Sequence, residues 1–199
     1  MEVFLKRVMD VGCSAILLCL TLPLFVCIAL AVKLSSTGPV LYWDRRVGRY
    51  GERFRMPKFR TMYVNADRLK QHLLDQNEMI GPAFKMRNDP RITPIGRFLR
   101  RHSLDELPQL WTILSGEMSL VGPRPPLESE YLQYEPWHKQ RLSVRPGATC
   151  LWQVMGRNAI REFDEWVEMD LKYIRNWSLW LDCKILLRTV GAVLKGTGQ

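Results

Sequence analysis

The chain has 199 residues, enough for one domain or for one domain with a small appendage. Its 29 Lys and Arg against 20 Asp and Glu leave a net charge of +9, which points to an anionic partner: nucleic acid, anionic lipid or a phosphorylated substrate. Five cysteines form no CxxC pair and none is spaced for zinc, so they read as reduced packing residues rather than a disulfide or zinc framework.

Residues 11–32 are 22 apolar or small residues without a charge. At ~1.5 Å per residue such a helix is long enough to cross a bilayer core of ~30 Å. Pro23 sits near its middle and removes a backbone donor. Lys6 and Arg7 precede the run, while Lys33 and then Arg45, Arg46, Arg49, Arg53, Arg55, Lys58 and Arg60 follow it. Positive charge stays on the cytoplasmic side, and here it flanks both ends. A re-entrant helical hairpin over 1–34, broken at Pro23, satisfies both flanks and is preferred. A straight span and a cleaved signal peptide, for which Ala29-Leu30-Ala31 mimics a processing site, are the alternatives.

Residues 35–39 make a turn, after which residues 40–43 and 54–62 read as the strands of a small hairpin closed by a basic turn at 48–51. Residues 66–77 suggest a polar helix with Leu69, Leu73 and Leu74 on one side. Thr93-Pro94 starts the next helix, with Ile95, Phe98 and Leu99 opposite Arg97, Arg100 and Arg101.

The most informative segment follows. Ser103-Leu104-Asp105-Glu106 opens a helix predicted over 103–114, with two adjacent carboxylates set among Arg and Lys. As a capping box, Ser103 caps the helix and Glu106 bonds back to it, leaving Asp105 to complement the helix dipole. Pro108 disfavours that version, because a fifth helical residue must donate its N–H. With Asp105 as the cap, Pro108 becomes the third helical residue and Asp105 stands at an anion-binding helix mouth. Capping and phosphate chemistry both remain open on these residues alone. His102 nearby is a weaker acid/base candidate, since lone histidines are usually structural.

Residues 121–126, VGPRPP, form a rigid extended loop carrying Arg124. Beyond a second loop at Arg145-Pro146-Gly147, the tail from Phe163 onward reads as two amphipathic helices. Four of the seven tryptophans fall between positions 152 and 180, which suits a membrane interface and a packed core almost equally. No GxxxxGK, GxGxxG or HExxH motif occurs, removing the common nucleotide-loop and zinc-protease readings. The fold class expected is α+β, mainly helical, with residues 35–199 as one compact unit.

Taken together, Lys6-Arg7-x-x-Asp10, Gly38-Pro39, KFRTM at 58–62, DPRIT at 89–93, SLDELPQL at 103–110, MSLVGPRP at 118–125 and PGATCLWQVMGR at 146–157 resemble the bacterial sugar transferases. These are small monotopic phosphoglycosyl transferases. The resemblance covers nearly the whole chain. It implies transfer of a sugar 1-phosphate from a UDP-sugar to undecaprenyl phosphate at the cytoplasmic face of the bacterial inner membrane, with release of UMP. It assigns Asp105 as nucleophile and ligand of Mg²⁺, and Glu106 as its dyad partner. Lys58, Arg60, Arg100, Arg124, Gln153 and Arg157 match positions that hold phosphate or substrate. Membrane lipid is an implied partner, nucleic acid is not, and a homodimer is compatible with the scheme.

Three residues depart from the family pattern: Leu22 before Pro23, Thr112 in place of a frequent asparagine, and Cys150 in place of a frequent glycine. The larger N-terminal membrane domain of some relatives is absent from this sequence, which reads as a minimal catalytic form or a piece of a longer chain. The rival function, a membrane-anchored basic binding module, leaves SLDELPQL idle and lacks an aromatic stacking platform for nucleic acid.

Overall fold

A computed structural model describes residues 1–156, 160–196 and 198. Helix α1, Glu2–Ser35, precedes an antiparallel hairpin of β1, Leu41–Val47, and β2, Arg53–Phe59. Leu41 pairs with Phe59 and Val47 with Arg53, and a 3₁₀ turn at Arg49–Gly51 closes the loop. Short α2, Ala66–Lys70, runs into a 3₁₀ turn at Gln71–Gln76, in place of the single polar helix expected over 66–77. Helices α3, Pro94–Arg101, and α4, Gln109–Ser115, flank the acid pair. Strand β3, Ser119–Val121, then pairs in parallel with β4, Gly147–Thr149, across an excursion that holds α5, Glu128–Tyr131, and a 3₁₀ turn at His138–Ser143. Helices α6, Leu151–Gly156, α7, Phe163–Arg175, and α8, Leu179–Lys195, complete the chain. The mainly helical α+β reading, the hairpin, the start of α3 and the two tail helices agree with expectation.

The α3 start follows the rule for its sequence. Thr93 Oγ1 accepts from the Gly96 N–H at 3.0 Å, and Pro94 occupies the first turn, where no donor is needed. The parallel β3–β4 pair was not anticipated, because three residues carry too little alternation to be read as a strand.

The principal core joins β2, α4, β3, α7 and α8 through Met56, Ile113, Met118, Val121, Tyr173 and Ile185. A second cluster packs Tyr134, Phe163, Val167 and Leu171, and a third sets Ile28 and Val32 of α1 against Phe59 and Leu99. Burying each large aliphatic side chain contributes roughly 1.5–3 kcal/mol, and these clusters fix the strands and turns that carry the polar site.

Helix α1 runs through Pro23 without interruption, so the hairpin expected over 1–34 is replaced by one continuous helix. Thr21 Oγ1 donates to the Leu17 carbonyl at 2.6 Å within the turn that reaches Pro23. Both ends of α1 nonetheless rest on the same body. Near the start, Lys6 Nζ donates to Asp182 Oδ2 at 2.6 Å and to the Val121 carbonyl at 3.1 Å, while Arg7 donates to the Ile113 and Leu114 carbonyls at the end of α4. Asp10, fully enclosed, accepts from Ser119 Oγ and the Leu120 N–H, each at 3.0 Å. The KRxxD motif is therefore a clamp between α1 and β3. Near the end, Phe25, Ile28 and Val32 pack on Phe59 and Leu99. Along its outer face, from Val3 and Phe4 through Ile16, Leu20 and Leu22 to Val26 and Leu30, apolar side chains are more than half exposed.

Candidate active site

Four stretches of chain converge on one cleft of about 550 Å³. Strand β2 supplies Lys58, the last turn of α3 supplies Arg100, the segment before α4 supplies Asp105 and Glu106, and the loop after β3 supplies Arg124. Arg100 Nε donates to Thr61 Oγ1 at 2.9 Å, which steers its guanidinium along the cleft wall.

The acid pair does not sit where the helical reading placed it. Ser103 takes a left-handed conformation, φ +52°, and its side chain caps nothing, so there is no capping box. Leu104–Glu106 form a 3₁₀ turn, and α4 begins only after Pro108. Pro108 explains the division: it cannot donate the N–H that a helix continuing from Ser103 would require. Asp105 therefore caps no α-helix, and Lys58, Arg100 and Arg124 set positive charge around it. A non-glycine residue in this region costs about 1–3 kcal/mol, strain of a kind that collects at functional sites.

Asp105 is buried, and Glu106 is mostly so. Glu106 Oε1 receives Lys58 Nζ at 2.7 Å and Arg124 Nη1 at 3.5 Å. Burial pulls the Lys58 ammonium below its ordinary pKa even though Glu106 and Asp105 oppose that. Burial likewise lowers Arg100, against the attraction of Asp105 and Asp89. For Arg124 burial is outweighed by the surrounding negative groups, Glu106 foremost, and its guanidinium is held above the ordinary value. Three cations thus face two adjacent carboxylates within a partly desolvated cleft, an arrangement suited to an added phosphate.

Residues 1–196 match the family described as Bacterial sugar transferase. The chain belongs to this family. Its relatives include Galactosyl transferase CpsE of Streptococcus agalactiae, 53% identical over 81% of this chain and 36% of its own length. Undecaprenyl-phosphate galactose phosphotransferase of Salmonella typhimurium is 44% identical over 98% of the chain and 41% of its own length. Exopolysaccharide production protein ExoY of Rhizobium meliloti is 42% identical over 98% of the chain and 87% of its own length. The chain therefore spans about two fifths of the first two proteins.

Of the residues expected to hold phosphate, Lys58, Arg100 and Arg124 meet at the acids. Arg60 lines the same cleft, but its guanidinium is turned away from the acids. Its guanidinium donates to the Ser36 and Thr37 carbonyls and closes the C-terminal end of α1. Strand alternation would have put Arg60 on the Lys58 face, but β2 ends at Phe59 and the alternation ends with it. Gln153 lies on α6 outside the residues lining the cleft, whereas its neighbour Trp152 lines it, since successive helical positions differ by ~100°. Arg157 lies outside the described residues. His102 is also uninvolved: its Nδ1 lies 3.1 Å from the Val193 carbonyl and its ring packs on Phe98, tying α3 to α8.

The cleft contains groups the sequence did not mark. Asp89 and Arg91, from the DPRIT motif, form a buried bidentate pair; burial raises Asp89, but the Arg91 hydrogen bonds and charge carry it below its usual pKa. Arg141, Tyr134 and the stacked Trp152 and Trp166 line the same space. The motif spacing was the available signal for Asp89 and Arg91. Nothing in the local sequence distinguished Arg141 from other surface-type cations.

Proposed function

We propose that this sugar transferase moves a sugar 1-phosphate from a UDP-sugar to undecaprenyl phosphate and releases UMP, through a covalent aspartyl phosphosugar on Asp105. The observation that carries this reading is Asp105 itself, buried in a cleft wall with Lys58, Arg100 and Arg124 drawn from three separate stretches of chain. In the first half-reaction a carboxylate oxygen of Asp105 attacks the phosphorus bearing the sugar. The bond from that phosphorus to the bridging oxygen breaks, and UMP leaves with the electron pair. In the second, an oxygen of undecaprenyl phosphate attacks the same phosphorus, the acyl phosphate bond breaks, and Asp105 returns as a carboxylate. The cations offset the repulsion between carboxylate and phosphate and the charge that develops on the phosphoryl oxygens. Glu106 orients Lys58 and Arg124 and is the group to take a proton from the lipid phosphate.

Mg²⁺ suits these donors. It binds through one or two carboxylates and completes its shell with substrate phosphates and water. Asp105 is the residue to hold it, and the ion would add Lewis-acid neutralisation of phosphate charge. Among the described residues no cluster of three or more His, Cys, Asp or Glu could hold a metal ion, and substrate oxygens and water would complete the shell beside Asp105.

Both ends of α1 dock on the catalytic body while its outer face exposes leucine and valine along its length, which supports insertion into one leaflet from the cytoplasmic side. On α8 the exposed Trp180, Leu187, Val190 and Leu194 follow helical spacing and would lie at the same interface. The reaction is then the first membrane step of surface polysaccharide or glycoconjugate synthesis. Its test is UMP release by the chain in lipid nanodiscs, with UDP-galactose and UDP-glucose supplied separately. Release that requires undecaprenyl phosphate and Mg²⁺ and is lost in Asp105→Asn is expected. Equal turnover by Asp105→Asn overturns the nucleophile assignment.

A further inference from the structure

The loop that presents Arg124 cannot fasten itself. Pro123, Pro125 and Pro126 have no N–H, so the segment must be held mainly through its carbonyls. Four successive carbonyl oxygens are in fact taken by donors from elsewhere. The Gly147 N–H bonds Pro123 O at 2.9 Å, Arg141 Nη2 bonds Arg124 O at 3.2 Å, Arg46 Nη1 bonds Pro125 O at 3.0 Å, and the Val47 N–H bonds Pro126 O at 3.0 Å. Two of the four are backbone donors belonging to strands. Arg46 is committed also to Asp44, its neighbour on β1. Arg141 is different, because it reaches Arg124 itself from a distant 3₁₀ turn and is 98% buried.

Taking a guanidinium out of water is expensive and needs compensation. Arg141 has it: an ion pair with the enclosed Asp170 of α7, a 2.9 Å bond from Nη1 to Tyr134 Oη, and the faces of the Tyr134 and Phe163 rings within 6.0 Å. Burial disfavours its charge, but Asp170 foremost, with Tyr134 and Cys150, together outweighs this and holds the guanidinium above its ordinary value. A fixed planar fork held on two sides leaves its remaining N–H groups aimed in a set direction.

We propose that Arg141 is a positioning residue for Arg124: anchored by Asp170 and Tyr134, it grips the Arg124 carbonyl and sets the direction in which the Arg124 side chain enters the phosphate site. The proposal rests on the cleft being the phosphoryl-transfer site described above. It makes α7 a distant support of the site, acting through Asp170, Arg141 and the backbone of the proline loop.

The test uses the full chain in nanodiscs and the paired variant Arg141→Met with Asp170→Asn, which leaves no buried charge without its counter-ion. Hydrogen exchange of the peptide covering residues 119–127 should rise while the remainder of the protein and its melting transition hold. UMP release from UDP-galactose should fall about 10²-fold, the scale of a misplacement near 1 Å. Adding Arg124→Ala to the pair should lower turnover little further, because Arg141 works through Arg124. Arg141→Lys, which retains the charge but not the fork, should lie between wild type and the paired variant. Unchanged exchange over 119–127, or losses that simply multiply on adding Arg124→Ala, would overturn the proposal. Faster exchange together with a wild-type protein inactive on every UDP-sugar would support the positioning and refute the transferase reading instead.

Discussion

Lys58 Nζ lies 2.7 Å from Glu106 Oε1, and this one contact ties strand β2 to the 3₁₀ turn that carries Asp105. It gives the two neighbouring acids different work. Glu106 is the counter-ion of Lys58 and Arg124, while Asp105 is buried beside them as the candidate nucleophile. Glu106→Gln should therefore lower kcat/KM by about 10²–10⁴-fold, the range for losing a positioned acid–base group. Asp105→Asn should abolish turnover and also the labelling of the protein by a UDP-sugar bearing ³²P on the phosphorus nearest the sugar. Single-turnover labelling separates the two cases: Glu106→Gln should still acquire label, though slowly, and Asp105→Asn should acquire none.

Burial lowers the pKa of Lys58 from its ordinary 10.5, so the ammonium discharges earlier than a surface lysine as pH rises. Activity that needs this cation should fall on the alkaline side through the lowered pKa. Lys58→Arg should push that limb to higher pH, read from kcat/KM against pH. The stability effect has the opposite sign. Between the lowered native pKa and the ordinary value the unfolded chain binds more protons, so this group's contribution to stability rises with pH across that window. A limb that stays in place in Lys58→Arg would exclude Lys58 as its source.

Much of this was readable from the sequence, and the failures share a cause. Lys58, Asp105, Glu106 and Arg124 lie in long motifs and Arg100 on the basic face of the helix just before one, and the structure brings all five to one cleft. Thr93-Pro94 and the periodicity after Phe163 gave α3, α7 and α8 because caps and amphipathic faces are local properties. Ser103 misled because the same letters write a capping box and a left-handed turn, and only Pro108 hinted at the latter. Arg60 also lines the cleft, but its guanidinium is taken by the Ser36 and Thr37 carbonyls, which fold back from the end of α1 and which no local spacing announces. Arg141, Tyr134 and Asp170 come from separate elements, and no spacing along the chain announces that they meet.

Asp182 has no solvent exposure and is satisfied by Lys6, Tyr173 and Trp177. Lys6→Met leaves that carboxylate buried without its counter-ion. Breaking such a pair costs about 3–5 kcal/mol. The expected result is a clear fall in the melting temperature of the detergent-solubilised chain. Lys6→Met combined with Asp182→Asn should recover much of the loss. A Lys6→Met protein as stable as wild type would show that the clamp between α1 and α8 contributes nothing to folding.

Gly96 gives the sharpest steric prediction. It lies in α3 against the backbone of Thr61, where an added Cβ would meet the Thr61 carbonyl oxygen at 2.1 Å and Cα at 2.8 Å. Backbone cannot swing away as a side chain can, so Gly96→Ala must push α3 off the end of β2. Overpacking of this kind costs about 1–3 kcal/mol or more. The displacement also separates Arg100 from Thr61 Oγ1, the contact that steers its guanidinium. Gly96→Ala should therefore lower both the melting temperature and kcat/KM, whereas Gly191→Ala, on an open face of α8 with nothing within 4 Å of the added carbon, should leave both near wild type. Full activity in a destabilised Gly96→Ala would show that Arg100 keeps its aim without Thr61, and would shift its steering to the charges of Asp89 and Asp105.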